Sequence, residues 1–248
     1  MPNEPAGRRI LVTRPAEQAA PLAERLRAAG HRPVILPLLE IRPLAPPTPI
    51  LKPGTIVIFV SPSAVRHGLP RLGTLPADVT LATVGRGSAR ALAEQLGREP
   101  DICPRTRFDS AALLAEPGLQ AVAGRPVLIV RGQGGREELA EGLRERGARV
   151  ACLETYVRHY PDVADALERL LADAALDAIL ATSGAILRHL AEQTPAAWRQ
   201  RLFDLPLLVI HPRQARIAEN LGFHHIISAT AGSDEAIIEA LQRLEPPA

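Results

Sequence analysis

Short apolar segments alternate with amphipathic helical segments along the whole chain. Most of the apolar segments are continuous runs, which are typical of parallel strands covered by helices on both faces of a sheet. The pattern therefore predicts an α/β fold with doubly wound parallel sheets. The strand candidates are RILVT, RPVIL, TIVIFV, VTLATVG, PDIC, PVLIV, ARVACL, LDAILAT, LPLLVI and HHIIS.

The order of elements in the first half of the chain recurs in the second half. Positions 117 residues apart correspond early in each half, and positions 125 residues apart correspond later. Such a repeat predicts two copies of one α/β unit. The pairs 117 apart are Arg14 with Arg131, Leu26 with Leu143 and Gly30 with Gly147, and the pairs 125 apart are Gly97 with Gly222 and Asp109 with Asp234. Between them, Ser61 of FVSPSAV corresponds to Ser183 of LATSGAI at an offset of 122.

Two extended segments without helical periodicity lie at matching places in the repeat. They predict a pair of linker strands at residues 37–45 and 151–160. The first strand and helix then belong with the C-terminal half, so residues 1–36 plus 161–248 form one discontinuous domain and residues 46–150 form the other. Ligands in such sheets bind outside the carboxyl ends of the strands.

The chain has 248 residues, 46% of them hydrophobic, enough for a sizeable core. No apolar run approaches the roughly 20 residues of a membrane span, and the N-terminal segment lacks a signal-peptide pattern. We therefore expect a cytoplasmic protein with no membrane partner. Cys103 and Cys152 have neither disulfide-framework nor metal-site spacing, so no metal is expected.

The cationic residues are almost all arginine, since Lys52 is the single lysine among 29. This composition weakens any lysine Schiff-base mechanism and suits bidentate contacts with carboxylate or phosphate, although a GC-rich genome would give the same bias. The net charge is only +2 and aromatic residues make up 3%. An interspersed charge pattern with few aromatics predicts no nucleic-acid partner.

The segment VLIVRGQGGREELAEGL places Gly132, Gly134 and Gly135 between a strand and a helix. A phosphate-binding P-loop would need a lysine and a hydroxyl residue that this segment lacks, and a dinucleotide fingerprint would need glycine where Glu137 stands. Nucleotide binding is therefore excluded on these residues.

Backbone amides at strand-to-helix turns can nevertheless hold carboxylates without a dedicated side chain. The alternative is that small residues only permit tight connections. Comparable turns recur at TRPAEQ, VSPSAV, VGRGSA, TSGAIL and HPRQAR. As a set, they favour a site for an anionic ligand.

The segments ILVTRP, PLLEI, FVSPSAV, ATVGRGSARAL, DSAALL, VLIVRGQGGREELAEGL, LATSGAILRHL and HPRQARIAENLGF occur in an order that resembles the uroporphyrinogen-III synthase family. The resemblance covers nearly the whole chain. It implies two flavodoxin-like domains joined by a two-stranded linker, with the first strand and helix completing the C-terminal domain. It also implies hydroxymethylbilane, a linear tetrapyrrole polycarboxylate, as substrate, and no cofactor.

The family's reaction removes the terminal hydroxyl and recloses the tetrapyrrole with its last ring inverted. By resemblance, Tyr156 of LETYVRHY is the catalytic candidate, because a phenol protonated at neutral pH can assist hydroxyl departure. The alternative is that Tyr156 is a structural residue of the linker, with its ring packed against apolar side chains and its hydroxyl in water. Tyr160 is the weaker candidate.

The strand-end turns supply the candidate substrate contacts. The serines are equally good helix N-caps, and the arginines are equally good members of ion pairs. The set is Arg14, Ser61, Ser63, Gly85, Arg86, Gly87, Ser88, Arg131, Thr182, Ser183, Gly184, Pro212, Arg213 and Gln214.

The turn before the last repeated helix departs from the family pattern of a glycine, a proline and two threonines. Here it reads IHPRQAR, which keeps Pro212 but lacks the hydroxyls. His211 invites a general-acid role, although a single histidine at a strand end is more often structural. Asp109 and Asp234 are predicted to be N-caps.

An alternative function is a non-catalytic binding or sensor module for an anionic small molecule, since paired α/β domains also form solute-binding proteins. The absence of a surplus apolar helix face favours a monomer. Transient contact with the upstream deaminase that supplies the substrate is also considered.

Overall fold

The computed structural model describes residues 7–174 and 176–244. The chain divides into two compact units. We call Met1–Glu40 with His159–Ala248 the first unit and Ile41–Arg158 the second unit.

The elements alternate between strand and helix in both units. The strands are β1 (Arg9–Val12), β2 (Arg32–Ile35), β3 (Glu40–Pro43), β4 (Ile56–Phe59), β5 (Thr80–Thr83), β6 (Pro126–Gly132), β7 (Arg149–His159), β8 (Ala178–Ala181), β9 (Leu207–Val209) and β10 (Ile226–Ser228). The α-helices are α1 (Ala16–Ala28), α2 (Pro62–Gly68), α3 (Arg86–Leu96), α4 (Ser110–Ala115), α5 (Glu138–Glu145), α6 (Ala164–Ala172), α7 (Gly184–Gln193), α8 (Arg199–Asp204), α9 (Pro212–Leu221) and α10 (Asp234–Gln242).

The sheet of the first unit has the order β10-β9-β8-β1-β2, and all four neighbouring pairs are parallel. Leu11 of β1 is in register with Val34 on one side and Ile179 on the other. Strand β1 thus joins its neighbour β2 to three strands from the far end of the sequence.

The sheet of the second unit has the order β3-β7-β6-β4-β5. The pairs β4–β5, β4–β6 and β6–β7 are parallel, and β3 is hydrogen-bonded beside β7. Strand β7 extends beyond the predicted segment ARVACL and includes Tyr156. Its register with β6 shifts between Arg131 and Gly132.

Each sheet buries apolar side chains on both faces, which explains the continuous apolar runs of the sequence. In β1, Ile10 and Val12 belong to one core cluster and Leu11 belongs to the other. In β4, Ile56 and Ile58 likewise lie opposite Val57. Alternate strand residues point to opposite faces, so a strand covered on both sides needs no polar positions.

Nine of the ten strand candidates form strands, and PDIC is wrong. Its Ile102 makes only an isolated bridge to Ala82. Pro100 is the first residue of this segment and Pro104 follows it directly, and proline cannot donate to a strand ladder. The predicted linker segment 37–45 contains β3.

Two general properties bear on the site. Across residues 7–174 and 176–244, no helix is both long and apolar enough to cross a bilayer, and no group of three His, Cys, Asp or Glu side chains is placed to hold a metal. Cys103 and Cys152 are free thiols.

Candidate functional site

Helices begin directly after the carboxyl ends of several parallel strands in each unit. In the first unit α7 and α9 follow β8 and β9, and in the second unit α2 and α3 follow β4 and β5. The free amides and the positive dipole end of each helix therefore lie at one edge of each sheet. This edge contains most of the predicted site residues.

Tyr156 is a fully buried large side chain of the second unit, with 1% of its surface exposed. Its ring packs in the core cluster that includes Phe59 and Val130. Its hydroxyl oxygen lies 2.9 Å from Ser61 Oγ. The side chain thus combines a fixed apolar ring with a hydrogen-bonded tip at a strand end.

Gly132 explains part of the glycine cluster. A Cβ on Gly132 would lie 2.6 Å from Tyr156 Cε2 and 2.7 Å from Cζ, closer than real Cβ contacts. Gly134 has a φ of 64°, in the left-handed region that favours glycine. Gly132 therefore leaves space for the tyrosine ring, and Gly134 allows the backbone to turn. Both glycines are explained without a nucleotide-binding role.

Arg131 lies near the end of β6, just before this turn, and its side chain is 12% exposed. It pairs with Glu137 at 2.6 Å and with Glu154 at 3.4 Å. The hydrogen bond and charge of Arg131 hold the pKa of the Glu137 carboxyl below its ordinary value. Burial alone would lower the pKa of the Arg131 guanidinium, but Glu137 and the neighbouring groups raise it overall. This predicted anion contact is thus already engaged by two carboxylates of the protein.

Ser61 caps α2, and its Oγ accepts the Ala64 N–H at 3.0 Å. Ser63 lies half-buried in the first turn of the same helix. Ser61 is therefore both a helix cap and the partner of Tyr156. The sequence predicted either a capping role or a substrate-binding role for Ser61, and it did not predict the contact with Tyr156.

The turn at residues 85–88 begins α3. Ser88 is buried, whereas Arg86 and Gly87 are exposed, so the backbone of this turn is more accessible than the serine side chain. The Arg86 guanidinium lies 5.4 Å from the centroid of the Phe108 ring. Phe108 also packs against Gly85, where a Cβ would lie 3.0 Å from Phe108 Cβ.

Arg14 lies at the matching edge of the first unit, and it is 7% exposed. Its guanidinium donates to Asp234 at 2.8 Å. The pair lines a cavity of about 430 Å³ together with Gln18, Thr182 and other residues of this unit. An anion entering this cavity would meet a cation that is already neutralised by one carboxylate.

Asp234 is not an N-cap, so that prediction is wrong. Ser233 caps α10 by accepting the Ala236 N–H, and Asp234 is the first helical residue. A serine one position earlier takes the cap and frees the aspartate for Arg14. Asp109 does cap α4, as predicted.

Gln214 bridges the ends of two neighbouring strands. Its Nε2 donates to the Thr182 carbonyl at 2.8 Å, and its Oε1 accepts the Ile210 N–H at 3.0 Å. Both ends of the amide are therefore used within the unit. Arg213, one residue earlier, has an exposed side chain.

His211 caps α9, because its Nδ1 accepts the Arg213 N–H at 3.1 Å. Pro212 occupies the first helical position, where its missing N–H costs nothing. Ser183 caps α7, and Gly184 leaves room for Ile217, whose Cδ1 would lie 2.6 Å from an added Cβ. A histidine cap and a glutamine bridge thus replace the hydroxyls that the resemblance led us to expect.

Sequence reasoning missed two neighbours of Tyr156. An Arg158 guanidinium nitrogen lies 3.5 Å from the Tyr156 hydroxyl, with its central carbon 5.7 Å from the ring centroid. The His67 ring lies 6.1 Å from the tyrosine ring, centroid to centroid. The alternation of strand residues would have placed Arg158 on the face of Tyr156.

The parallel sheets and the polar turns at their carboxyl ends define an α/β protein of the class that binds small molecules at strand ends. A family model described as uroporphyrinogen-III synthase HemD matches residues 20–239. The chain belongs to the uroporphyrinogen-III synthase family.

Curated relatives carry the same name over almost the full length. The chain is 35% identical to uroporphyrinogen-III synthase of Salmonella typhimurium and 32% identical to that of Escherichia coli, in both cases over 94% of this chain and 99% of the relative. The enzyme of Synechococcus elongatus is 31% identical over 87% of each chain.

Solved structures agree in fold. A mutant uroporphyrinogen III synthase from Thermus thermophilus matches with a TM-score of 0.61 at 18% identity, over 96% of this chain and 98% of that one. Uroporphyrinogen-III synthetase from Helicobacter pylori matches with a TM-score of 0.62 at 16% identity, over 96% and 100%. At these identities the likeness shows the α/β fold.

Proposed function

We propose that this protein cyclises linear hydroxymethylbilane to uroporphyrinogen III, with inversion of the last pyrrole ring and loss of water, in tetrapyrrole biosynthesis. Full-length similarity to enzymes of that name supports the proposal. The observation that carries it is the position of Tyr156, a buried tyrosine. Its hydroxyl lies within hydrogen-bond distance of Ser61, which follows the carboxyl end of β4.

In the proposed reaction, Tyr156 donates its phenolic proton to the terminal hydroxyl of the bilane. The carbon–oxygen bond breaks, water leaves, and a pyrrole nitrogen supplies electrons to form an azafulvenium cation. Attack by the last pyrrole at its substituted carbon gives a spiro intermediate, which fragments and recloses with the ring inverted. The ring system finally releases a proton that restores the phenol. None of these reaction steps is an oxidation or a reduction, in keeping with the proposed independence from cofactors.

The protein's main task is to hold the bilane in the reactive conformation, because positioning alone lowers the barrier of a ring closure. Carboxylates of the substrate would be bound by exposed arginines and by helix N-terminal amides. Arg86, Gly87 and Arg213 suit this role because they are exposed. The other residues of the predicted set are Arg14, Ser61, Ser63, Gly85, Ser88, Arg131, Thr182, Ser183, Gly184, Pro212 and Gln214, of which Ser61, Arg131 and Gln214 are not proposed to contact the substrate directly.

Two of these residues fit a supporting role better than direct contact. Arg131 already pairs with Glu137 and Glu154, and both ends of Gln214 are hydrogen-bonded. We propose that they shape their turns, while the neighbouring amides meet the carboxylates.

Each unit is proposed to be a flavodoxin-like domain. In the first unit the strands follow the order 2-1-3-4-5 when numbered within the unit, which supports this assignment. The proposed domains are residues 1–36 plus 161–248 and residues 46–150, with 37–45 and 151–160 as paired linker strands. The hydrogen-bonded neighbours β3 and β7 support the pairing. A monomeric state, transient contact with the upstream deaminase and a cytoplasmic location stay predictions.

The proposal is tested by giving the purified protein freshly generated hydroxymethylbilane, oxidising the products and separating the uroporphyrin isomers. A dominant type III isomer is expected, against the spontaneous type I isomer in a control without protein. Type I alone from folded protein would contradict the proposal and favour the binding-module alternative.

The catalytic role of Tyr156 predicts that Tyr156→Phe lowers kcat by about 10²-fold or more, because general-acid assistance contributes about 10²–10⁴-fold. The ring still fills its site, so substrate binding measured by quenching of protein fluorescence should persist. Tyr160→Phe is the matched control, since Tyr160 is 38% exposed and packs on His189. An unchanged kcat in Tyr156→Phe would exclude the phenol as the acid.

A further inference from the structure

The oxygen of Tyr156 is held by more than its ring packing. Gly132 supports one part of the ring, His67 lies near another, and the core cluster encloses the rest. The position of the phenolic oxygen is therefore set by the fold. When the phenol loses its proton, negative charge develops on that oxygen. Groups within hydrogen-bond distance of the oxygen can therefore stabilise this charge.

Ser61 is the nearest such group, at 2.9 Å. A serine hydroxyl has one proton to donate and two lone pairs. One lone pair of Ser61 accepts the Ala64 N–H at the start of α2. The Ser61 proton remains available to Tyr156, which leaves the phenol's own proton free for the substrate.

Arg158 is the second group. It lies two residues beyond Tyr156 in β7, on the same face of the strand, and one terminal nitrogen of its guanidinium is 3.5 Å from the phenolic oxygen. Its side chain is exposed, so water screens its charge, and the contact is long for a hydrogen bond. We therefore expect Arg158 to contribute less than Ser61.

We propose that Ser61 and Arg158 are positioning residues that stabilise the tyrosinate formed when Tyr156 gives its proton to the departing hydroxyl. This inference rests on the proposed function. In the step, the phenolic O–H bond breaks, its proton joins the leaving oxygen to form water, and the negative charge stays on the tyrosine oxygen. Ser61 O–H and Arg158 N–H then donate to that oxygen until the ring system returns a proton. Preorganised donors directed at developing charge are an effective form of catalysis.

Substitutions at Ser61 separate its two functions. Ser61→Thr keeps both the cap and the hydroxyl donor. Ser61→Asp keeps a good cap but has no proton to donate to a tyrosinate, and Ser61→Ala loses both. If Ser61 stabilises the tyrosinate, Ser61→Ala and Ser61→Asp should lower kcat at least tenfold with KM changed less than twofold. Ser61→Thr should retain kcat within about threefold, while Ser61→Asp should keep a melting temperature near that of the wild type.

Ser233→Ala provides a matched control for capping, because Ser233 caps α10 through the Ala236 N–H. It should lower the melting temperature about as much as Ser61→Ala and leave kcat unchanged. If Ser61→Asp keeps wild-type kcat, Ser61 is only a helix cap and the proposal is overturned.

Arg158→Lys and Arg158→Gln test the second group. Retained charge in Arg158→Lys should preserve most of kcat, whereas Arg158→Gln should lower kcat about threefold to tenfold at constant KM. A rise in KM without a change in kcat would instead make Arg158 a substrate contact. Formation of the type III isomer by the wild-type protein in the same assays tests the proposed function. The variants then test only the roles of Ser61 and Arg158.

Discussion

Single residues in this chain act through the neighbour that the fold brings to them. The glycine cluster has the composition of a nucleotide loop, yet Gly132 serves to admit the Tyr156 ring. Sequence spacing excluded the nucleotide motifs, but it did not reveal this contact. The close approach depends on the register shift between β6 and β7, which no local pattern encodes.

The side-chain partners of charged residues were equally hidden. Arg14 and Asp234 are 220 residues apart in the sequence, and their pairing follows from the place of β1 in a sheet with three strands of the C-terminal half. Short-range signals were more informative, since Asp109 was correctly predicted as a cap. At Ser233 and Asp234, two adjacent capping residues competed, and propensity alone did not decide between them.

Gly132→Ala is predicted to lower both stability and activity. The added methyl group would displace the tyrosine ring or its own strand, and overpacking of this kind costs about 1–3 kcal/mol. Small displacements of a reacting group can cost up to about 10² in rate, so kcat should fall at least tenfold. Chemical denaturation and isomer-resolved turnover would measure the two effects.

The control for this change is Gly97→Ala. Gly97 has a φ of 68° and nothing within 4 Å of an added Cβ, so alanine there strains the backbone by about 1–2 kcal/mol without touching the tyrosine. It should lose stability and keep kcat. Full activity in Gly132→Ala would show that the ring can move without consequence.

At the scale of elements, the strand-to-helix turns were located correctly, but their internal bonding was not. The sequence assigned Gln214 to substrate, whereas its amide joins the end of β8 to the end of β9. His211, which invited an acid role, is the cap of the helix that follows β9. The Gln214 contact depends on strands that adjoin only in the folded sheet.

The Gln214 bridge predicts a stability loss that is distinct from any effect on substrate. In Gln214→Glu the carboxylate can still accept the Ile210 N–H, but it cannot donate to the Thr182 carbonyl. We expect a loss of about 1–3 kcal/mol in the free energy of unfolding, as for an unsatisfied polar group. The exposed Arg213 is the control, since Arg213→Ala should change stability by less than about 0.5 kcal/mol. Equal stabilities in urea unfolding would show that the bridge is dispensable.

At the scale of the whole molecule, the internal repeat allowed much of the architecture to be predicted. Matched offsets indicated two α/β copies, and the continuous apolar strands indicated sheets covered on both faces. The extended segments predicted that the N-terminal strand and helix belong with the C-terminal half. In the structure, β1 pairs with β8. The spacing of the repeat did not predict the length of β7. This strand pairs with β3, and that pairing is set by tertiary contacts rather than by local propensity.

This architecture predicts unequal behaviour of two fragments. Residues 40–159 contain all five strands of the second sheet and both of its core clusters, so this fragment should fold alone. Residues 37–248 lack β1, α1 and β2. The first sheet then loses two of its five strands, and the apolar partners of the missing Leu22 and Leu26 become exposed. Circular dichroism and size-exclusion chromatography should show cooperative melting of a monomer for residues 40–159, and aggregation for residues 37–248.

Restoring the missing segment is the control for the longer fragment. Co-expression of residues 1–36 should return it to solution, because β1 pairs in parallel with β8 and buried side chains on both faces fix that register. A longer fragment that melts cooperatively without residues 1–36 would show that the first strand and helix are an accessory to the first unit rather than part of its core.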